Sequence, residues 1–146
     1  MSQQLFIFQP GLWIGEGTLS FNASSEKLRF FTKWTVSPLV QEEIHAFQQV
    51  EMESSPEQMR NHFRFFEITP TTFSVELENE AMGKVTGRGL IEPGKIAWEF
   101  RNNPLEGFEV YALNLEKQDE YHLHAEFSST AEFRTIIKGR IWKKTT

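Results

Sequence analysis

Gly11-Leu12-Trp13-Ile14-Gly15-Glu16-Gly17 decides how the rest of the chain is read. Trp13, Gly15 and Gly17 recur at period two, and Leu19 and Phe21 continue that face opposite Glu16, Thr18 and Ser20. Alternation of this kind is the mark of a half-buried strand, and glycines in phase with its apolar residues mark places where a barrel strand bends or is closely approached. Trp13 is then a large ring near the start of the first strand, placed to plug one end of a barrel.

The pattern repeats outward from this stretch. Asn22-Ala23-Ser24-Ser25-Glu26 is a turn cluster, and Leu28, Phe30, Trp34 and Val36 then alternate with Arg29 and Lys33 to complete a hairpin. Ser37-Pro38 breaks the chain before Ile44, Ala46, Gln48, Val50 and Met52 come into phase. A turn over 54–58, with a helical turn begun at Pro56, leads to a fourth segment, His62 to Ile68. Its apolar residues disagree in phase, Phe63 and Phe65 against Phe66 and Ile68, so a bulge near Phe65 is expected.

Further segments follow at the same spacing: Phe73, Val75 and Leu77; Val85, Gly87, Gly89 and Ile91; Ile96, Trp98 and Phe100. Gly107 to Leu115 is apolar on both phases, with Phe108, Val110 and Ala112 opposing Tyr111, Leu113 and Leu115, as in a strand covered on both faces. Tyr121, Leu123, Ala125 and Phe127 alternate with His122, His124 and Glu126, and Phe133, Thr135, Ile137, Gly139 and Ile141 form the last run. Intervening breaks fall at Arg101 to Pro104, Lys117 to Asp119 and Ser128 to Thr130. About ten strands joined by short turns pair in order, and closure removes both exposed edges. The expected architecture is all-β: an antiparallel up-and-down barrel in a single domain over residues 1–146.

Composition narrows function. The 146 residues contain no cysteine, which excludes disulfides, thiolate zinc sites and thiol catalysis. A net charge of −5 opposes general attraction to nucleic acid or anionic lipid. No stretch reaches the ~20 apolar residues of a membrane span. Met1 to Phe8 lacks the basic flank and long apolar run of a secretory signal, so a cytoplasmic location is expected. Fourteen phenylalanines and four tryptophans demand a substantial interior, serving either as plain core or as the lining of a pocket.

Gly-x-Trp at the start of strand one of a ten-stranded meander resembles the calycin superfamily of lipocalins and fatty-acid-binding proteins. The fuller Gly11-x-Trp13-x-Gly15-x-Gly17 is most similar to nitrobindin-type haem-binding barrels. The direct turn between the first two strands and the lack of an extended segment after the last point the same way. The resemblance implies that Trp13 is packed by an Arg from a late strand, Arg134 or Arg140, with Arg140 the plug partner of choice. It also implies haem held by a His near the C-terminus, yet no His follows His124, so haem is not carried over.

Three constellations remain as chemistry. His122-x-His124-x-Glu126 puts two imidazoles and a carboxylate on one strand face, about 7 Å apart in succession, a spacing from which side chains can converge on a metal. The competing reading leaves them in solvent as the polar half of an amphipathic strand. His62-x-Arg64 either reaches inward, where Arg64 would grip a ligand carboxylate as the resemblance to fatty-acid-binding proteins implies, or points outward from a bulged strand. Gln48 shares phase with apolar residues and must find a partner inside. With Trp34, Trp98 and Tyr111 it makes the expected lining of a site for a small, mainly apolar molecule. No phosphate loop, zinc-peptidase helix or serine-hydrolase elbow is present. Non-enzymatic ligand binding is therefore the leading expectation, ahead of a metal-dependent barrel or a filled barrel that recognises a protein through exposed Phe31, Phe47 and Ile136.

Overall fold

A computed structural model describes residues 5–22, 24–102, 105–117, 119–128 and 134–144. Ten antiparallel strands close into a barrel: β1 (Gly11–Phe21), β2 (Lys27–Val36), β3 (Ile44–Met52), β4 (Gln58–Phe66), β5 (Thr72–Asn79), β6 (Gly83–Glu92), β7 (Lys95–Asn102), β8 (Leu105–Leu113), β9 (Glu120–Ser128) and β10 (Arg134–Lys143). Each pairs with its neighbours in sequence, and β1 meets β10 from Trp13↔Lys143 to Phe21↔Thr135. Among the described residues no helix is long and apolar enough to cross a membrane. Phe133 and the turn residues Ala23, Asn103, Pro104, Gln118, Ser129 and Thr130 lie outside the described residues.

The opening motif works through space as much as through burial. A Cβ on Gly17 would strike the backbone of β10 at Lys138 and Gly139 as well as the ring of Phe30, so β1 and β10 approach closely where the barrel closes, and Gly17 faces Gly139 across that seam. Trp13 is fully buried at the start of β1, and its indole Nε1 donates to the Gln9 carbonyl at 3.2 Å. Arg140 is not its partner. Because it alternates with inward Ile141, Arg140 lies on the outer wall, where Glu16 and Glu120 hold it at 2.7 and 3.3 Å and its guanidinium covers Trp142.

The plug is built instead by a 3-10 turn, Phe6–Phe8, which places Phe6 inside the end of the barrel where β1 begins. The Phe6 ring lies 5.6 Å from Trp13, 5.5 Å from Trp34, 4.7 Å from Tyr111 and 5.9 Å from Tyr121. That end is solid aromatic packing. Leu5 to Phe8 read in the sequence only as a short apolar run, because a 3-10 turn this short leaves no periodicity.

Three local expectations change. No helix starts at Pro56, and β4 begins at Gln58 rather than His62. The β4 ladder is continuous on both sides, so no bulge occurs at Phe65. Phase is reset one residue beyond the strand, where Glu67 adopts a left-handed φ of 51° and returns Ile68 to the core side, while Phe66 stays outside beneath the Arg64 guanidinium. In β8 the inward phase is that of Tyr111 and Leu113, which also carries Glu109 into the interior.

Candidate functional site

The half of the barrel remote from the plug is hollow. A cavity of about 360 Å³ opens between β2, β3, β4 and β9, lined mainly by apolar groups such as Phe30, Val50, Met52, Phe63, Leu123 and Ala125. Larger troughs lie on the outer wall, the biggest about 750 Å³, but charged residues such as Glu67, Arg88 and Arg101 border it. The internal cavity has the shape and chemistry of a small-molecule site.

Its polar groups form two sets. Toward the rim, Gln48, Asn61 and Asn79 make a ladder across β3, β4 and β5: Asn61 Nδ2 donates to Gln48 Oε1 at 2.8 Å, and Asn79 Nδ2 donates to Asn61 Oδ1 at 3.0 Å. Asn79 Oδ1 in turn accepts from the Met82 backbone N–H at 2.8 Å, which ties the β5–β6 turn to the cavity edge. Toward the plug lies Glu109, whose Oε1 accepts from the Tyr111 hydroxyl at 2.7 Å and whose Oε2 accepts from Trp98 Nε1 at 3.1 Å. Burial pushes the Glu109 carboxyl up from the usual carboxylate range, and these two bonds offset the rise only in part. Tyr111 rises well above an ordinary phenol, first through burial and then through the adjacent carboxylate.

Two more polar atoms on cavity-lining residues, Thr32 Oγ1 and Trp34 Nε1, are buried and have no hydrogen-bond partner among the described residues. Buried polar atoms without partners are uncommon in folded proteins, and Thr32 Oγ1 lies packed against Gly15 of β1.

The residues expected from the sequence therefore divide. Trp34 and Gln48 line the cavity; Trp98 and Tyr111 pack beneath Phe6 and meet it through Glu109. Arg64 does not reach it. It alternates with inward Phe63 and Phe65, and on the outer wall it pairs with Glu43 at 2.8 Å and Glu76 at 3.4 Å, so Arg64 does not serve a ligand carboxylate in the cavity.

His122, His124 and Glu126 are on the outer face of β9, alternating with buried Tyr121, Leu123 and Ala125. His124 Nε2 meets Glu126 at 3.0 Å and Arg134 takes the other carboxylate oxygen at 3.1 Å, so the carboxylate is already engaged. Among the described residues no three His, Asp or Glu side chains gather as metal ligands. Phe31 and Phe47 are exposed but separated by about 13 Å along their strands, with Arg29 over one and His62 stacked on the other. Ile136 is half-buried.

Haem, implied by the resemblance, fits poorly. His45, His62, His122 and His124 all stand on strands with inward neighbours on either side, so no imidazole faces the cavity to ligate iron.

No family model matches the chain, and no curated protein matches it in sequence. Solved structures do resemble it. The S-type phycobiliprotein lyase CPES from Guillardia theta superposes with a TM-score of 0.73 at 8% identity, over 100% of this chain and 94% of that one. Rv2717c from M. tuberculosis superposes with a TM-score of 0.72 at 9% identity, over 93% of this chain and 92% of that one. At these identities the likeness is one of fold.

The sequence reading passed over Thr32, Asn61, Asn79 and Glu109. The signal that singled out Gln48 was present for all four: Thr32 lies between Phe30 and Trp34, Asn61 precedes Phe63 in phase, Asn79 extends Phe73, Val75 and Leu77, and Glu109 shares phase with Tyr111 and Leu113.

Proposed function

We propose that the protein binds a small, mainly apolar molecule in the internal cavity, without chemical conversion, in keeping with a soluble cytoplasmic carrier or sensor. The observation that carries this reading is the unequal filling of one barrel: aromatic rings pack the end around Phe6, while the other half keeps a hollow of about 360 Å³ edged by polar groups. At about 30 Å³ for each water-sized volume, the hollow holds roughly a dozen non-hydrogen atoms. The resemblance in fold to a phycobiliprotein lyase is compatible with a cavity that handles an organic molecule.

Native mass spectrometry of protein purified without denaturation tests for a retained ligand, and titration with 4-phenylbutan-1-ol tests the cavity directly. Binding to the folded barrel raises its stability by about 2.7 kcal/mol at a hundredfold excess over Kd. Ala125→Phe, which places a ring in the hollow, is expected to abolish the response. An unchanged response in that variant would refute the reading.

A further inference from the structure

We propose that Glu109 makes the cavity selective for molecules whose inner end carries an N–H donor, a protonated amine or an N–H heterocycle, over molecules that end in a carboxylate. The inference rests on the cavity being a ligand site and goes further by naming what the site recognises. Among the described residues that line the hollow, Glu109 is the sole charged side chain, and no Lys, Arg or His is among them. An anionic head group would therefore meet a carboxyl group with no cation nearby to offset it. A cationic or N–H head would complete an acceptor that the protein leaves half used.

The geometry supports this. A carboxylate offers about four lone-pair sites, and Tyr111 and Trp98 take one on each oxygen. Both donors are held by packing, since Tyr111 and Trp98 are buried and lie against one another at 5.2 Å, tilted by 30°, beneath the Phe6 plug. The carboxyl group is thus held from the closed end, with its remaining acceptor capacity turned to the hollow that Glu109 helps to line. Burial without a cationic partner disfavours its charge, and a ligand cation relieves that cost while an anion adds to it. Selectivity is a difference of affinities, and here the repulsive half is as well defined as the attractive half.

Three probes of matched body test the proposal on the full chain: 4-phenylbutylamine, 4-phenylbutan-1-ol and 4-phenylbutyrate, titrated calorimetrically at neutral pH into the wild type and Glu109→Gln. The expected order in the wild type is amine, then alcohol, then carboxylate, with at least about a tenfold gap between amine and carboxylate, the size of one hydrogen bond to a charged group. In Glu109→Gln the amine preference is expected to vanish while the alcohol still binds. The preference must also survive high salt, because attraction of amines to the acidic surface is screened and a buried contact is not.

A carboxylate that binds as tightly as the amine overturns the proposal, as does an amine preference that persists without Glu109 or disappears with salt. Should Glu109→Gln fail to fold, the wild-type order alone decides. Equal binding of all three probes overturns this selectivity and leaves the cavity reading standing; binding of none removes both.

Discussion

Phe6→Ala tests whether the closed end of the barrel is made by a side chain rather than by backbone. Among the described residues, the backbone hydrogen bonds of the segment around Phe6 are local, Phe8 N–H to Leu5 O at 2.9 Å and Gln9 N–H to Phe6 O at 3.1 Å, so it is held to the barrel by burial of Leu5, Phe6 and Ile7, by the Trp13 indole and by a hydrogen bond between Gln9 and Tyr121. Truncating a fully buried Phe costs about 3–5 kcal/mol, and the five aromatic partners within 6.4 Å place this site at the upper end. For a chain of this size that corresponds to a fall in Tm of roughly 6–20 °C. Urea denaturation followed by tryptophan fluorescence reads both the loss and its mechanism. If the segment stays in place around a void, the native emission holds and the m-value is unchanged. If it detaches, the native emission shifts to the red as Trp13 and Trp34 meet water, and m falls because less surface remains to be exposed. A loss below about 1 kcal/mol would refute the plug, since a ring so enclosed cannot be removed cheaply.

Two further outcomes follow from the interior. The folded pKa of Glu109 lies above its unfolded one, so the group is compatible with the fold while protonated and opposes it once ionised: its contribution is intact below the unfolded carboxylate pKa and is lost as pH rises through the folded value. Glu109→Gln is therefore expected to be more stable than the wild type at neutral pH, with the difference closing under acid; denaturation midpoints across pH that ran parallel for the two proteins would contradict this. Gly89→Ala is expected to cost about 1–3 kcal/mol, because an added Cβ falls within the ring of Phe73, and Phe73→Leu in the same chain should recover part of the loss in a double-mutant cycle.

Strand number, order and most inward faces were legible in the chain because a barrel with one dry and one wet face writes period two into every strand. Where both faces are shielded the pattern blurs. Phe108, Val110 and Ala112 are half-buried on the outer face of β8, and their apolar character hid the fact that Glu109 sits on the same side as Tyr111. Phe66 misled for a related reason: an outward ring covered by Arg64 at 3.9 Å looks in sequence like a core residue out of register. The plug was illegible because Phe6 acts through contacts with strands far along the chain, and its own neighbours carry no sign of them. Inward polar residues were legible in principle, as Gln48 was, whereas their partners depend on barrel register: Asn61 stands opposite Gln48 only because β3 and β4 pair as they do.

That register also explains why the hollow lies where it does. β4 pairs with β3 down to Gln58, but its ladder with β5 runs only from His62↔Glu78 to Phe66↔Ser74. Beyond it, the wall between Asn61 and Asn79 is joined by their side-chain amides instead of by backbone, and Gln48 continues the join to β3. Each amide needs partners wherever the interior excludes water, so apolar packing right up to this wall would have to leave donors stranded or displace the ladder. At the other end no such constraint exists, and rings close over one another around Phe6. Glu109 stands at the boundary of the two regimes, its donors drawn from the packed aromatics while its side chain helps to line the hollow. A carboxyl group held in that position satisfies two buried donors, Tyr111 and Trp98, but its burial raises the cost of its charge. What it adds is discrimination at the inner end of the cavity.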